Sequence, residues 1–119
     1  MNDLSTPMMN LLEKFLDFTS QRHQLVTSNM ANIDTPGYRT KDLDFRGELH
    51  RAVADGGTSF LPVARSVPGL LERPDGNNVS LDREGLLLAE VQMQFGLGIQ
   101  LLHHEFQNLL MAINEGNKA

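Results

Sequence analysis

Residues 28–38, with the sequence SNMANIDTPGY, decide the fold because they join the end of a helix to a tight turn. Asn29 and Asn32 are three residues apart, which places both on one face of a helix. Their side chains can bond the backbone groups that are freed where a helix ends. Pro36 disfavours helix in the residue before it, and Pro36 and Gly37 take the second and third positions of a type II turn. We therefore predict a helix that ends before this turn.

Upstream of the turn, apolar residues recur at a spacing of three and four, which predicts an amphipathic helix over residues 4–34. Thr6 is a suitable N-cap, and proline is tolerated in the first turn of a helix. Two positions on the same face are polar, Arg22 and Asn29. The apolar residues that we expect to pack are Leu11, Phe15, Phe18 and Leu25.

A second periodic stretch predicts a long helix over residues 80–114, with Ser80 as its N-cap and acidic residues in its first turn. Gly96 and Gly98 interrupt it, and each lowers helix propensity by about 1 kcal/mol relative to alanine. These glycines either allow a neighbouring backbone to approach closely or mark a weak point. The apolar residues of the predicted seam are Leu88, Phe95, Ile99, Leu102, Phe106, Leu109 and Ile113.

Residues 35–79 are richer in glycine, proline and charge than the two helices. Leu43 and Phe45 alternate with aspartates, which favours a short extended segment, and residues 60–63 favour a second one. Residues 67–78 have the composition of a linker. The predicted fold of residues 1–119 is one mainly α domain. In it, long N- and C-terminal amphipathic helices pack as a coiled-coil-like pair, with an irregular or short-β middle.

Two helices alone leave apolar surface uncovered, and no third helix is predicted to cover it. We therefore expect copies of this chain, or similar proteins, to complete the packing.

Composition excludes several classes of function. The chain has 119 residues, a net charge of -5 and no cysteine. The acidic balance argues against nucleic-acid binding, and the absence of cysteine excludes disulfides and thiolate metal sites. The strongly apolar run of residues 86–89 is too short to span a bilayer. No Sec-type signal is evident, because Asp3 lies where a positive segment belongs.

No group of residues makes a convincing active site. His103 and His104 are adjacent on the predicted helix and point about 100° apart, so they do not share a metal site easily. Asp42 and Asp44 resemble a carboxylate pair, but the expected arrangement is a solvated strand edge. We predict no catalytic residues, no metal, no cofactor and no small-molecule substrate.

The turn closely resembles the N-terminal signature of bacterial flagellar rod and hook proteins, in which an amphipathic helix ends in such an Asn-rich, Thr-Pro-Gly-Tyr segment. The match extends from residues 21–22 to residues 41–45. Residues 74–84, PDGNNVSLDRE, resemble the short proximal rod proteins within this family. The late Ala-Tyr pair of the larger members is missing. The residues that match the family turn are Asn29, Asn32, Thr35, Pro36, Gly37 and Tyr38.

This resemblance implies a structural subunit of the flagellar basal-body rod, required for flagellum assembly and motility. It implies export through the flagellar type III secretion apparatus without a cleaved signal peptide, followed by assembly in the periplasm. The implied partners are other copies and other rod proteins, the membrane-ring and adaptor proteins at the rod base, and the export gate. Phe45 and Leu49 match the aromatic-x-x-x-apolar spacing that the gate reads in this family.

An alternative function uses the same two apolar faces. A cytoplasmic helical adaptor or export chaperone of the flagellar secretion system would bind a client helix there. Location separates the two hypotheses, because an adaptor stays inside the cell and is not incorporated into the rod.

Overall fold

The computed structural model describes residues 6–55 and 62–117, and within these ranges most residues are helical. Two long antiparallel helices give the molecule extents of 71 × 25 × 19 Å. In chain order the elements are α1 (Pro7–Ala31), β1 (Lys41–Asp42), α2 (Phe45–Ala54), β2 (Arg65–Ser66) and α3 (Leu81–Asn117). The mainly α fold predicted from the sequence, with long helices at both ends, is confirmed.

Helix α1 begins where the sequence predicts its cap. Thr6 has extended backbone angles, and its side chain accepts a hydrogen bond from the backbone N–H of Met9. The helix ends at Ala31, and the backbone N–H of Asn32 bonds carbonyls of the last turn. The predicted helix was longer, over residues 4–34. Residues 4 and 5 lie outside the described ranges, and residues 32–34 form turns.

Helix α3 is the longer of the two, with 37 residues against 25 in α1. At 1.5 Å per residue these lengths are about 55 and 37 Å. The Ser80 hydroxyl accepts a hydrogen bond from the backbone N–H of Arg83 at 3.2 Å, as the N-cap prediction requires. Because α3 runs to Asn117, its C-terminal part extends past Pro7, where the antiparallel helix α1 begins.

Close packing of α1 on α3 depends on Gly98. A Cβ atom at this position would lie 2.8 Å from Cδ2 of Leu16 and 3.0 Å from the ring of Phe15. Gly98 therefore allows close approach, whereas a Cβ atom at Gly96 would meet no atom within 4 Å. The buried apolar residues of this helix pair are Leu12, Phe18, Val26 and Val91.

The middle segment differs from the prediction. Phe45 begins α2 and does not belong to an extended segment, so the prediction from alternating residues was wrong at this position. Asp44 caps α2 by accepting a hydrogen bond from the backbone N–H of Gly47. Phe45 packs edge-on against Phe15, with ring centroids 5.5 Å apart. The expectation that no third helix exists was therefore wrong, although α2 packs on α1 and leaves α3 uncovered.

The two short strands lie at positions other than those predicted. Strand β1 pairs antiparallel with β2, with Lys41 opposite Ser66 and Asp42 opposite Arg65. The second extended segment was predicted at residues 60–63. Residues 60 and 61 lie outside the described ranges, and Pro62 and Val63 belong to no strand.

Helix α3 exposes much of its apolar surface. Among the described residues it is the one helix long and apolar enough, by length and composition, to cross a membrane, with a mean hydropathy of 1.3 in its most apolar window. No unbroken apolar run reveals this property in the sequence, because single polar residues interrupt α3. One such helix is weak evidence for a membrane span, because core helices of soluble proteins pass the same test.

Candidate functional site

The two segments that resemble flagellar rod proteins, residues 28–38 and 74–84, contact each other in the folded chain. The backbone N–H of Gly37 donates to the carbonyl of Asp75 at 2.8 Å. The side-chain amide of Asn77 donates to the carbonyls of Asn32 at 2.9 Å and Thr35 at 2.8 Å. We call residues 28–42 and 73–84 the polar junction, because polar contacts of this kind join them where α1 ends and α3 begins.

The turn within the polar junction has the predicted type II geometry. Gly37 has a φ of +75°, and the backbone N–H of Tyr38 donates to the carbonyl of Thr35 at 3.2 Å. Gly76, in the other segment, lies against this turn, and a Cβ atom on it would be 3.3 Å from the Cα atom of Gly37. Arg73 reinforces the contact by donating to the carbonyls of Ile33 and Val79.

Replacing Gly37 tests this turn. We expect Gly37→Val to lower the free energy of unfolding by about 2 kcal/mol, because a β-branched residue is strained at positive φ. A new Cβ atom would meet nothing within 4 Å, so the effect comes from the backbone alone. Asn tolerates this region, and Gly37→Asn should cost less than half as much. Urea denaturation measures both variants, and equal losses would contradict the assignment.

Asn29 is a highly connected residue of the polar junction, and only 1% of its surface is exposed. Its amide nitrogen donates to the carbonyl of Lys41 at 2.9 Å and to the carboxylate of Glu84 at 2.8 Å. Its amide oxygen accepts from the Tyr38 hydroxyl at 3.0 Å and from the backbone N–H of Lys41 at 3.2 Å. All four bonds that an asparagine side chain usually makes are therefore formed.

Four charged side chains form compensating pairs that reach Asn29 through Glu84. Arg22 binds both carboxylate oxygens of Asp42, at 3.0 and 3.1 Å. Arg83 reaches Asp42 at 2.7 Å and Glu84 at 2.8 Å. Two cations thus balance two anions, which is the condition for burying such groups without a large penalty. The cluster ties α1, β1 and α3 together.

Asp42 corrects a prediction from the sequence. Asp44 is exposed as expected, but it caps α2 and belongs to no strand, whereas Asp42 in β1 is only 9% exposed and is paired with two arginines. Burial raises the pKa of Asp42, but hydrogen bonds and charge from Arg22, with further bonds from Leu43 and Arg83, outweigh it and hold the pKa below its usual value.

This lowered pKa makes stability depend on pH. A carboxylate whose folded pKa is depressed adds stability above its unfolded pKa of about 3.9, and this stability is lost as the pH falls through the folded pKa. We expect the free energy of unfolding, measured in urea between pH 6 and pH 3, to fall as acid is added. Asp42→Asn should reduce this dependence of the free energy of unfolding on pH. The exposed Asp34→Asn should leave it nearly unchanged, and equal slopes in the two variants would contradict the argument.

The residues predicted to pack divide into two groups. Phe18 is buried, and several others are half-buried: Leu11, Phe15, Leu25, Leu88, Leu102 and Leu109. Four residues of the predicted α3 seam are instead exposed, by 38 to 47%: Phe95, Ile99, Phe106 and Ile113. Helix α1 therefore covers only part of the apolar surface of α3 in the single chain.

The candidate export-gate residues are placed on α2. Phe45 is half-buried against Phe15 and Phe18, and the guanidinium carbon of Arg22 lies 5.9 Å from its ring centroid. Leu49 is half-buried and lines a shallow surface depression with its helical neighbours. Phe45 is thus part of the folded packing and is not freely presented.

Sequence reasoning missed Glu84 as a buried residue. It was assigned only to the helix dipole, yet its surface is fully buried and it binds both Asn29 and Arg83. The available signal was the pair of polar positions, Arg22 and Asn29, on an otherwise apolar helix face. Polar groups on a buried face require partners, and α3 supplies them.

Comparison with known proteins identifies similar flagellar proteins. No family model matches the chain. It is 27% identical over 126 residues to the flagellar basal body rod protein FlgB of Escherichia coli strain K12, covering 88% of this chain and 91% of that protein. The FlgB proteins of Salmonella typhimurium strain LT2 and Borrelia hermsii are each 28% identical over 88% of this chain, covering 91% and 94% of their lengths.

The chain is similar to FlgB proteins of several bacteria along most of its length. Its function is structural, as a subunit of the flagellar basal-body rod. Relatives from several bacteria match along most of their lengths, so the similarity covers both helices and the polar junction of this chain. Nothing in these relatives supports the alternative of an adaptor or export chaperone.

Proposed function

We propose that the chain builds the proximal end of the rod in the periplasm, where exposed apolar surface on α3 is buried by copies of this chain and by other rod proteins. One observation carries the proposal: the seam residues Phe95, Ile99, Phe106 and Ile113 remain 38 to 47% exposed in the folded chain. Exposed apolar residues arranged along one helix mark an interaction site, because covering them in an assembly releases free energy.

The polar junction supports this function by fixing the geometry of the helix pair. Asn29 bonds Glu84 across α1 and α3, while the Gly37 turn bonds the segment that leads into α3. Such contacts are directional, so they set the register of one helix on the other, which apolar packing alone specifies less strictly. A subunit with a fixed helix register presents the same surface to each neighbour.

The further partners and the route follow from the family resemblance. We propose that the base of the rod contacts the membrane-ring and adaptor proteins, and that the chain reaches the periplasm through the flagellar type III export gate without a cleaved signal peptide. If Phe45 and Leu49 form the gate element, the gate reads them from the unfolded chain, because Phe45 packs against Phe15 once α2 has docked. The proposal gives the chain no catalytic step and no cofactor.

A charge on the exposed seam tests the proposed function. We expect Phe106→Glu to abolish swimming and rod assembly, because a carboxylate would be buried without a partner when a neighbour covers α3. Phe106 is 47% exposed in the single chain, so the folded subunit should tolerate the change. Gln107→Glu places the same charge one position away, at an exposed polar residue, and should preserve swimming.

Motility in soft agar and electron microscopy of basal bodies measure both variants, and circular dichroism of the purified proteins checks that they fold alike. Normal swimming of the Phe106→Glu strain would contradict burial of this seam in the rod.

A further inference from the structure

Helix α3 carries a line of exposed residues at heptad spacing. Steps of four and three residues in turn lead from Gly85 through Ala89 to Ile113, and every residue on this line is exposed. This alternation is the spacing by which long helices pack on each other. Gly98, which packs against α1, points about a third of a turn away from the line. We call the line the free heptad face.

Charged residues are absent from the free heptad face and from the positions that flank it. Neither the face nor these positions carry Asp, Glu, Lys or Arg: residues 86, 93, 100, 107 and 114 on one side, and residues 88, 95, 102 and 109 on the other. The acidic residues of this stretch, Glu90 and Glu105, lie on other sides of the helix. Depletion of charge is typical of the centre of a protein interface. The face therefore has the composition of a contact surface.

The two halves of the free heptad face differ in side-chain size. The first half carries Gly85, Ala89 and Gly96 beside the flexible side chain of Gln92. A Cβ atom at Gly85 or Gly96 would meet nothing within 4 Å, so this half is open. The second half carries large, exposed apolar side chains: Ile99, Phe106, Leu110 and Ile113. Each half thus offers the shape that the other half lacks.

We propose that the free heptad faces of two copies pack on each other in parallel, with one copy shifted along the helix by two heptads. This shift is 14 residues, or about 21 Å. Parallel helices that pack by heptads set each position opposite the same heptad position of the partner. The shift therefore sets Gly85 of one copy opposite Ile99 of the other. Gly96 likewise lies opposite Leu110, so that large side chains meet small ones.

Other parallel registers match less well. Without a shift, Gly96 would face Gly96 and Phe106 would face Phe106, which leaves a gap at one level and crowds another. A shift of one heptad sets Ala89 opposite Gly96, which again leaves a gap. The same shift sets Ile99 opposite Phe106, so the large side chains are still crowded.

The parallel direction rests on the proposed rod function, because a growing rod needs a contact that repeats without closing. A shifted parallel contact uses different halves of the face on the two copies, so each copy still offers a free half to the next one. An antiparallel pair would also match small residues with large ones, but it would use both halves at once and close as a dimer.

Cysteine cross-linking tests the contact, since the chain has no cysteine of its own. Ala89 and His103 are 14 residues apart, so the proposed shift brings position 89 of one copy against position 103 of the next. One chain carries both Ala89→Cys and His103→Cys and replaces the native protein in its own bacterium, and swimming is confirmed before oxidation. We expect a ladder of dimers, trimers and larger species. About 21 Å separates the two positions within one helix, which prevents an internal disulfide.

The matched control is the double variant Glu90→Cys with His104→Cys. Each cysteine moves by one residue, to an exposed position about 100° around the helix, and the separation of 14 residues is kept. This pair should give no ladder. Ala89→Cys or His103→Cys alone should give no adduct, because the shift does not set like positions opposite each other.

The other outcomes each overturn the proposal. Dimers alone from the double variant would indicate a closed antiparallel pair, and dimers from a single variant would indicate an unshifted contact. Adducts with a different rod protein, or an equal ladder from the control, would show that this face does not pair copies of the chain. No adduct in a swimming strain would exclude the contact while leaving the rod function intact.

Loss of the rod function is seen separately, as complete rods in a strain that lacks the gene. If the strain with cysteines at positions 89 and 103 does not swim, Gly85→Cys with Ile99→Cys replaces that pair under the same criteria.

Discussion

Asn29→Asp is expected to lower the free energy of unfolding by about 3 to 5 kcal/mol at pH 7, because it sets two carboxylates against each other in a buried site. The side chain keeps its size, so no cavity forms. The amide nitrogen that now donates to Glu84 at 2.8 Å becomes an acidic oxygen, and the bond to the carbonyl of Lys41 is lost as well. Urea denaturation followed by circular dichroism measures the loss.

A charge swap provides the control for this prediction. In the Asn29→Asp, Glu84→Gln double variant, one carboxylate and one amide again face each other, so much of the lost stability should return. Asn108→Asp adds the same charge at an exposed position of α3 and should change stability by less than about 0.5 kcal/mol. If the double variant is as unstable as the sum of its single changes, the two side chains are not coupled.

Gly98→Val is expected to cost about 2 to 3 kcal/mol, because α1 leaves no room for a side chain at this point. The first added atom would already lie 2.8 Å from Leu16 and 3.0 Å from Phe15. The Phe15 ring has little freedom to move away, since it packs edge-on against Phe45. The helices must therefore separate or tilt, which also disturbs the contacts of the polar junction.

Gly96→Val is the matched control for this change. It makes the same substitution two residues away in the same helix, where a Cβ atom meets nothing within 4 Å. Because valine has a higher helix propensity than glycine, this variant should be neutral or slightly more stable. Thermal unfolding compares the two proteins, and similar losses would show that helix α3 is sensitive to any side chain here, which would contradict close packing at Gly98.

The sequence predicts the two long helices and their caps well, because both signals are local. Apolar spacing marks the helix faces, Thr6 and Ser80 cap the starts, and Pro36 fixes where α1 must stop. The type II turn is predicted for the same reason, since proline and glycine impose its backbone angles.

The middle segment was predicted poorly because tertiary contacts decide it. Alternation of apolar and acidic residues favoured a strand at Phe45, but Asp44 serves as a helix cap and the Phe45 ring packs on Phe15 of α1. The contacts of the polar junction could not be predicted from the sequence for the same reason. Asn29 and Glu84 are 55 residues apart, so nothing local in the sequence reveals that they bond.

The most direct test is electron microscopy of basal bodies from a strain of the source bacterium that lacks this gene, with a complemented strain beside it. A structural subunit at the proximal end of the rod predicts membrane rings without rod, hook or filament, and complete flagella once the gene is restored. Complete flagella in the strain that lacks the gene would contradict a required structural role for this chain.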